Sequence, residues 1–257
     1  MISCLSIART HEGCIRELNE DAFIERPDIG VWAVADGMGG HEAGDVASRM
    51  IMDMLEALPC MDNQAAVIKA ICEGLSVSNQ RLRQMGRAIG NKIIGCTVVV
   101  LVIDNLTGRY TILWVGDSRA YRLRKQQLTR LTQDHTEAYE MLEQGYITID
   151  EVETHPSADV VTRAIGAEQS LAVDRIDGSV DVDDVYLLCS DGLNKELSDK
   201  DIQTLLSTDN LVDSSKALIH STLLRKARDN VTVINVKIAE SSSSVDDGDT
   251  TINIFNR

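Results

Sequence analysis

Four short acidic elements stand out along the chain: Asn19-Glu20-Asp21, Asp36-Gly37, Asp191-Gly192 and Asp229-Asn230. Each adjoins a strand-like run. Val31-Trp32-Ala33-Val34-Ala35 leads into Asp36, and Gly37-Met38-Gly39-Gly40-His41 follows. Val185-Tyr186-Leu187-Leu188-Cys189-Ser190 leads into Asp191-Gly192 in the same way. A short apolar run bounded by glycine reads as a buried strand, so a carboxylate at its end sits at a rigid strand terminus, half out of the core. One Asp-Gly after a strand is an ordinary turn. Four acidic elements at strand edges point instead to one acidic centre. Carboxylates brought together repel and raise one another's pKa, and burying them unpaired is costly. Hard divalent cations with oxygen ligands relieve both penalties. Two such ions about 3.5–4 Å apart can activate a bridging water and clamp a phosphoryl oxygen. Arg16, just upstream of the first element, has the planar fork that binds phosphate bidentately, though its spacing equally allows a surface salt bridge.

The elements that must position these residues can be read from periodicity. Ile2 to Glu25 carries short strand-like pieces around a Gly13-Cys14 turn. Val46, Ala47, Met50, Ile51, Met54, Leu55 and Leu58 recur at helical spacing, which predicts a helix from His41 to Leu58. A second helix is predicted from Asn63 to Met85. Thr97–Ile103, Tyr110–Val115 and Ala120–Arg124 are rich in β-branched residues and form an antiparallel meander. Residues 134–160 are polar with helix-like pieces at Glu137–Gln144 and Ile149–Glu153, an excursion from the sheet. Helices are predicted near Asp199–Leu206 and Ser214–Arg225, then a closing strand at Val231–Ile238. Residues 241–257 have little to bury and read as a flexible tail. The order predicts an α+β domain over 1–240, with packed sheets and outer helices.

Composition narrows the function classes. The 257 residues are 44% hydrophobic but only 4% aromatic, which predicts an aliphatic core. A formal charge of −15 argues against nucleic acid or an anionic membrane as partner. No stretch approaches the roughly 20 apolar residues of a membrane span, and no signal peptide is evident, so a cytoplasmic protein is expected. A monomer is expected, although nothing in the sequence specifies oligomeric state. Cys4, Cys14, Cys60, Cys72, Cys96 and Cys189 lack CxxC spacing and read as reduced, mostly buried small hydrophobes. No Cys-x5-Arg phosphate loop is present, which argues against thiol-phosphatase chemistry.

Eight motifs, in order from about residue 5 to residue 238, carry a resemblance to a known family. They are Arg16-x-x-Asn19-Glu20-Asp21, Asp36-Gly37-Met38-Gly39-Gly40-His41, Gly95-Cys96-Thr97, Gly116-Asp117-Ser118-Arg119, Asp134-His135, Thr162-Arg163-Ala164-Ile165-Gly166, Ser190-Asp191-Gly192 and Asp229-Asn230. The chain resembles the metal-dependent protein phosphatases of the protein phosphatase 2C type, in their compact bacterial form. The resemblance implies a central antiparallel β-sandwich flanked by helices on both faces, with a flap at about 136–160 beside a metal cleft. It implies that Asp36 bridges two Mg²⁺ or Mn²⁺ ions. Asp191 and Asp229 would complete the protein ligands of the first ion; Glu20 and the Gly37 carbonyl would serve the second. Arg16 would bind the substrate phosphate. Asp117 would hold a third ion, with Asp159 from the flap, although a turn-capping Asx role for Asp117 also fits the sequence.

The implied activity is hydrolysis of phosphoserine and phosphothreonine on proteins by direct attack of a metal-bridging water, opposing a bacterial Ser/Thr kinase. Two alternatives remain open at this level: a pseudophosphatase serving as a regulatory binding module, and a small-molecule phosphatase. Retention of Glu20, Asp36, Asp191 and Asp229 speaks against the first. Met38 stands where many eukaryotic relatives carry histidine, and a thioether cannot donate a proton, so the usual general acid does not transfer. His41 could act there or orient the following helix; His135 reads as structural.

Overall fold

The computed structural model describes residues 2–39, 43–90, 92–208 and 210–240. In chain order the elements are β1 (Ile2–His11), β2 (Asp21–Arg26), β3 (Val31–Met38), α1 (Ala43–Glu56), α2 (Gln64–Ala88), β4 (Gly95–Cys96), β5 (Val98–Asp104), β6 (Arg109–Val115), β7 (Arg119–Arg124), β8 (Gln127–Arg130), α3 (Glu137–Glu143), α4 (Ile149–Val152), β9 (Asp174–Ser179), β10 (Val185–Cys189), α5 (Asp191–Asn194), α6 (Asp199–Leu206), α7 (Leu211–Leu224) and β11 (Val231–Glu240).

Two antiparallel sheets form. One has the order β1-β11-β10-β7-β8; the other has β2-β3-β5-β6-β9, with β4 pairing β3. The continuous apolar runs of β3 and β5 follow from burial on both faces. One face of each sheet meets the other in a layer that includes Trp32, Val34, Val99, Leu101, Tyr186, Leu188 and Ile234. The opposite face of the β3 sheet packs Ala33, Val98 and Val100 against Ile51, Leu55, Ile71 and Leu75 of α1 and α2. The opposite face of the β10 sheet packs Leu187 and Val233 against Leu193, Ile202 and Leu218 of α5, α6 and α7. Helices therefore cover both sides of a sandwich, as the resemblance implied.

Several expectations change in detail. The opening segment holds strands on either side of the Gly13-Cys14 turn, but the first, β1, is ten residues long because it pairs along its whole length with β11. Two strands, β8 and β9, lie in stretches whose sequence carries no clean alternation. β9 closes one sheet edge on β6 and offers alternating partial burial to it. Strand pairing is interrupted at Thr97, whose N–H bonds the Asp36 carbonyl at 2.8 Å, so the expected strand starts at Val98. The cysteines are all free, but only Cys96 and Cys189 are buried; Cys14 and Cys60 are exposed. The core is aliphatic beneath α1 and α2, Tyr121 lies beneath α5, α6 and α7, and Trp32, Trp114, Tyr110 and Tyr186 gather between the sheets, where the two tyrosines pack at 5.2 Å. The expected tail, 241–257, lies outside the described residues, as does His41.

Residues 136–160 leave and rejoin the sandwich at adjacent points. Thr136 bridges Val161, Glu137 N–H bonds the Val160 carbonyl at 2.9 Å, and Thr162 N–H bonds the His135 carbonyl at 2.8 Å. The excursion has its own small apolar cluster of Ala138, Tyr139 and Val152. A capping box at Thr148 and Glu151 starts α4.

A buried ion pair anchors the loop that precedes this excursion. The Arg119 Nε and Nη2 donate to Asp134, with Nη2···Oδ2 at 2.7 Å, and Arg119 Nη1 donates to the Tyr121 hydroxyl at 3.1 Å. Both charged side chains are about 6–7% exposed. Breaking such a pair leaves an uncompensated charge in the interior. Asp134→Ala should therefore cost about 3–5 kcal/mol by urea unfolding, whereas the double change Arg119→Met with Asp134→Leu should recover most of that loss. Equal losses for the single and double variants would show that packing, not charge, sets the cost.

Candidate active site

Glu20 is fixed by its backbone. Its N–H donates to Asn230 Oδ1 at 2.8 Å, and its carbonyl accepts from Ser48 Oγ at 2.6 Å and Gly37 N–H at 3.2 Å. Asn230 in turn donates through Nδ2 to the carbonyls of Glu12 and Leu18 at 3.0 and 2.9 Å. Three separate segments thus meet at one residue. Gly44, at the start of α1, is required by this approach: a Cβ there would lie 2.6 Å from Glu20 Oε1 and 2.8 Å from the Gly37 carbonyl carbon. Glu20 and the Gly37 carbonyl, paired by the resemblance, are therefore neighbours in space.

Asp36 lies inside β3 rather than at its end, since the strand runs on to Met38 and pairs with β4 there. Its β-sheet partner is Asp21 of β2. Asp21 is buried, and its Oδ2 accepts from Ser190 Oγ and Thr232 Oγ1, each at 2.7 Å. Ser190 Oγ also accepts from the Thr232 N–H at 2.9 Å. This small network links the two sheets directly beneath the acidic residues. Asp191 opens α5 after β10, and Gly192 is held so close to Asn230 that a Cβ would meet its carbonyl oxygen at 2.0 Å. Asp229 precedes β11 by two residues. Asp117 lies in the turn between β6 and β7, a turn held by His135: Gly116 N–H donates to His135 Nδ1 at 2.9 Å, and His135 N–H donates to the Gly116 carbonyl at 3.0 Å.

The electrostatics show that these carboxylates share one field. Part of Asp36 reaches solvent, but dense surroundings push its pKa well above the ordinary carboxylate range, and Asp21, Asp191, Asp117 and Asp229 push it further. Asp117 is raised in the same way, by burial first and then by Asp191 and Asp134. Asp191 is raised by burial, with Lys195 opposing. Asp21 is pushed up to about 7 by burial, against the stabilising bonds from Ser190 and Thr232. Asp159, on the excursion, is exposed.

Two basic groups of the chain sit among these acids. Arg16 forms a two-point contact with Asp229, Nε···Oδ1 at 3.0 Å and Nη2···Oδ2 at 3.1 Å. Lys195 Nζ contacts the Asp191 carboxylate and lies 3.8 Å from Asp229 Oδ2. Burial alone would lower the pKa of Lys195, but Asp191, Asp117 and Asp159 outweigh it and keep the ammonium charged. Among the described residues no three His, Cys, Asp or Glu groups are drawn to a common point at ligand spacing; Asp191 and Asp229 are drawn to these cations instead. The donor set nevertheless fits hard divalent ions. It consists of oxygens, it carries excess negative charge in a water-poor setting, and Asp191 Oδ1 is buried without a hydrogen-bond partner.

His135 performs a structural task, as its sequence context suggested. It accepts at Nδ1, faces Asp174 Oδ2 from Nε2 at 3.2 Å, and stacks on Trp114. Burial and the nearby Arg163 guanidinium lower its pKa. Sequence reasoning gave no role to Asp21, Gly44, Asn230 or Lys195. The Asn19-Glu20-Asp21 and Asp229-Asn230 motifs contain two of them, but only the fold reveals that Asn230 clamps Glu20. Nothing in the spacing of Lys195 marked it.

If these acids form one centre, removing a charge relieves repulsion in the metal-free protein. Asp36→Asn and Asp191→Asn should melt at or above the wild-type temperature in EDTA, while Mn²⁺ should raise the wild-type temperature and leave both variants nearly unmoved. Thermal unfolding with and without Mn²⁺ checks this; variants that gain as much from Mn²⁺ as the wild type would place the metal elsewhere.

Comparison with known proteins adds the family context. The family described as Protein phosphatase 2C matches residues 16–226. The chain is 30% identical over 242 residues to protein phosphatase PhpP of Streptococcus pneumoniae, covering 91% of this chain and 97% of that protein. It also superposes on PppA, a key regulatory component of T6SS in Pseudomonas aeruginosa, with a TM-score of 0.85 and 37% identity over 92% of this chain and 98% of that one. The catalytic domain of serine threonine protein phosphatase PstP, in complex with two manganese ions, superposes with a TM-score of 0.81 at 28% identity, covering 93% of this chain and all of that one.

Proposed function

Because the chain belongs to the protein phosphatase 2C family and is a metal-dependent protein serine/threonine phosphatase, we propose that the cluster of Glu20, Asp36, Asp117, Asp191 and Asp229 is its hydrolytic centre. The observation that carries this reading is the convergence of these acids: Glu20 and Gly37 meet at Gly44, Gly192 lies against Asn230, and burial together with neighbouring carboxylates raises Asp36, Asp117 and Asp191. Asp36 would be common to two Mg²⁺ or Mn²⁺ ions, with Asp191 and Asp229 on one and Glu20 with the Gly37 carbonyl on the other. Asp117, aided by Asp159, would serve a third. Bound divalent ions supply a water of lowered pKa and neutralise charge on the phosphoryl oxygens.

The protein's own residues then have definite tasks. Asn230 and Ser48 hold the Glu20 backbone, so its carboxylate is pre-positioned before any ion arrives. Ser190 and Thr232 keep Asp21 hydrogen-bonded beneath Asp36. Arg16 is half exposed at the edge of the cluster, and its fork is oriented by Asp229; a phosphate dianion can take the same fork. Met38 has no proton to give, so a leaving serine or threonine oxygen must obtain its proton elsewhere. We assign substrates to phosphorylated proteins, modified by a Ser/Thr kinase, and the location to the cytoplasm as a monomer; no helix among the described residues is long and apolar enough to cross a membrane.

Arg16→Ala should raise KM for a phosphopeptide severalfold with a smaller effect on kcat, because a phosphate clamp acts on ground and transition states alike. Arg16→Lys should restore only part of the loss, since lysine lacks the planar fork. Steady-state kinetics decide this, and an unchanged KM would return Arg16 to a salt bridge with Asp229 alone.

The excursion at 136–160 is assigned as the flap that recognises protein substrates. It leaves and rejoins the sandwich at adjacent points, carries its own cluster and, Asp159 apart, leaves the proposed metal carboxylates on other elements. With Mn²⁺ the enzyme should turn over both a phosphothreonine peptide and a small aryl phosphate. Exchange of residues 137–157 for a relative's segment should depress the peptide reaction severalfold more than the aryl reaction. Equal losses would make the segment a support of the metal centre, and turnover of the aryl ester alone would make the enzyme a small-molecule phosphatase.

A further inference from the structure

Lys195 holds a place that an ordinary surface lysine does not. It caps α5 in right-handed helical geometry, and its N–H donates to the Asp191 carbonyl at 2.9 Å. This single turn sets residues 191 and 195 on one face, so the ammonium contacts the very carboxylate that follows β10. A solvated pair of the same spacing exists for comparison: Lys69 and Glu73 lie 3.8 Å apart with 76% and 68% of their side chains exposed. Lys195 and Asp191 are 24% and 10% exposed, and a second carboxylate, Asp229, lies 3.8 Å from the same ammonium. A flexible, strongly hydrated side chain that could extend into water is turned inward instead, against two of the proposed ligands.

We infer that Lys195 is a built-in counter-cation of the acidic centre, which competes with divalent ions for the Asp191 side of the cluster. The inference rests on the reading of that cluster as the metal centre. In the metal-free chain the ammonium offsets part of the carboxylate repulsion. A divalent ion approaching Asp191 meets a like charge at contact distance and must displace it. Asp117 and the flap residue Asp159 also attract this ammonium, which gives the displaced side chain acidic neighbours to turn toward. Lys195 is thus a positioning residue that sets how tightly the centre holds its ions and how stable it is without them.

The test is calorimetric titration of Mn²⁺ into the metal-free full chain, paired with thermal unfolding in EDTA. Lys195→Met and Lys195→Gln both remove the charge, and Gln keeps a polar contact should Met perturb folding. Both should bind the weakest Mn²⁺ about tenfold more tightly than the wild type and should melt several degrees lower in EDTA, a deficit that saturating Mn²⁺ removes. Lys195→Arg, which keeps the charge, should stay close to the wild type in both measurements. Wild-type binding of Mn²⁺ with unchanged or weaker affinity in the Met and Gln variants overturns the inference and leaves the metal centre standing. A wild-type chain that takes up no Mn²⁺ overturns the metal-centre reading itself.

Discussion

Carboxylates that repel one another are held together in a water-poor cleft, and the rest of the structure is arranged around that constraint. Burial raises the pKa of Asp36, Asp117 and Asp191, and a neighbouring carboxylate raises each further: Asp21 for Asp36, Asp191 for Asp117 and Asp229 for Asp191. Arg16 and Lys195 offset part of this repulsion, and the backbone must impose the rest of the assembly. The imposition is visible where chain segments pass too closely for any side chain: Gly37 beside Gly44 and Glu20, and Gly192 against Asn230. These contacts let residues from the first strands, the helix after β10 and the loop before β11 reach one small volume. Uncharged groups supply the remaining precision. Asn230 spans three backbone groups, while Ser190 and Thr232 share Asp21.

The sandwich provides the rigidity that makes such placement possible. Asp36 belongs to a strand paired on both sides, with β2 and β5, and Thr97 continues its hydrogen bonding where β4 takes over. The helices on either face close the core. His135 shows how the same logic extends outward. It fixes the Gly116-Asp117 turn, stacks on Trp114 and stands at the root of the excursion.

Much of this was legible in residue order. The runs before Asp36 and Asp191 are apolar enough to be strands by composition alone, and α1 and α2 announce themselves by helical spacing. The eight ordered motifs supplied the architecture. What sequence could not convey were relations between distant segments. Asp21 looks like one more acid in a motif, yet its partners are Ser190 and Thr232. β9 has no apolar alternation, since only one edge of it is paired and its side chains remain half exposed. The exposed Cys14 and Cys60 fall in loops whose burial no periodicity could decide. Lys195 was silent because a lysine four residues after an aspartate is commonplace; only its inward direction is informative.

The position of β11 has a consequence for how the molecule comes into being. It lies between β1 and β10, and pairs with β1 over all ten residues, Ile2 to Glu240 and His11 to Val231. β1 is therefore synthesised long before the strand it pairs with. At about 5–20 residues per second the wait is on the order of ten seconds or more, during which the β1 edge has no native partner. Contacts of such sequence separation form slowly in any chain. Asp229 and Asn230 arrive with β11, so the carboxylate facing Arg16 and the clamp on Glu20 are delivered by the same event that completes the sheet. The Arg16–Asp229 contact and the Asn230 clamp on Glu20 are therefore both absent until β11 has joined the sheet.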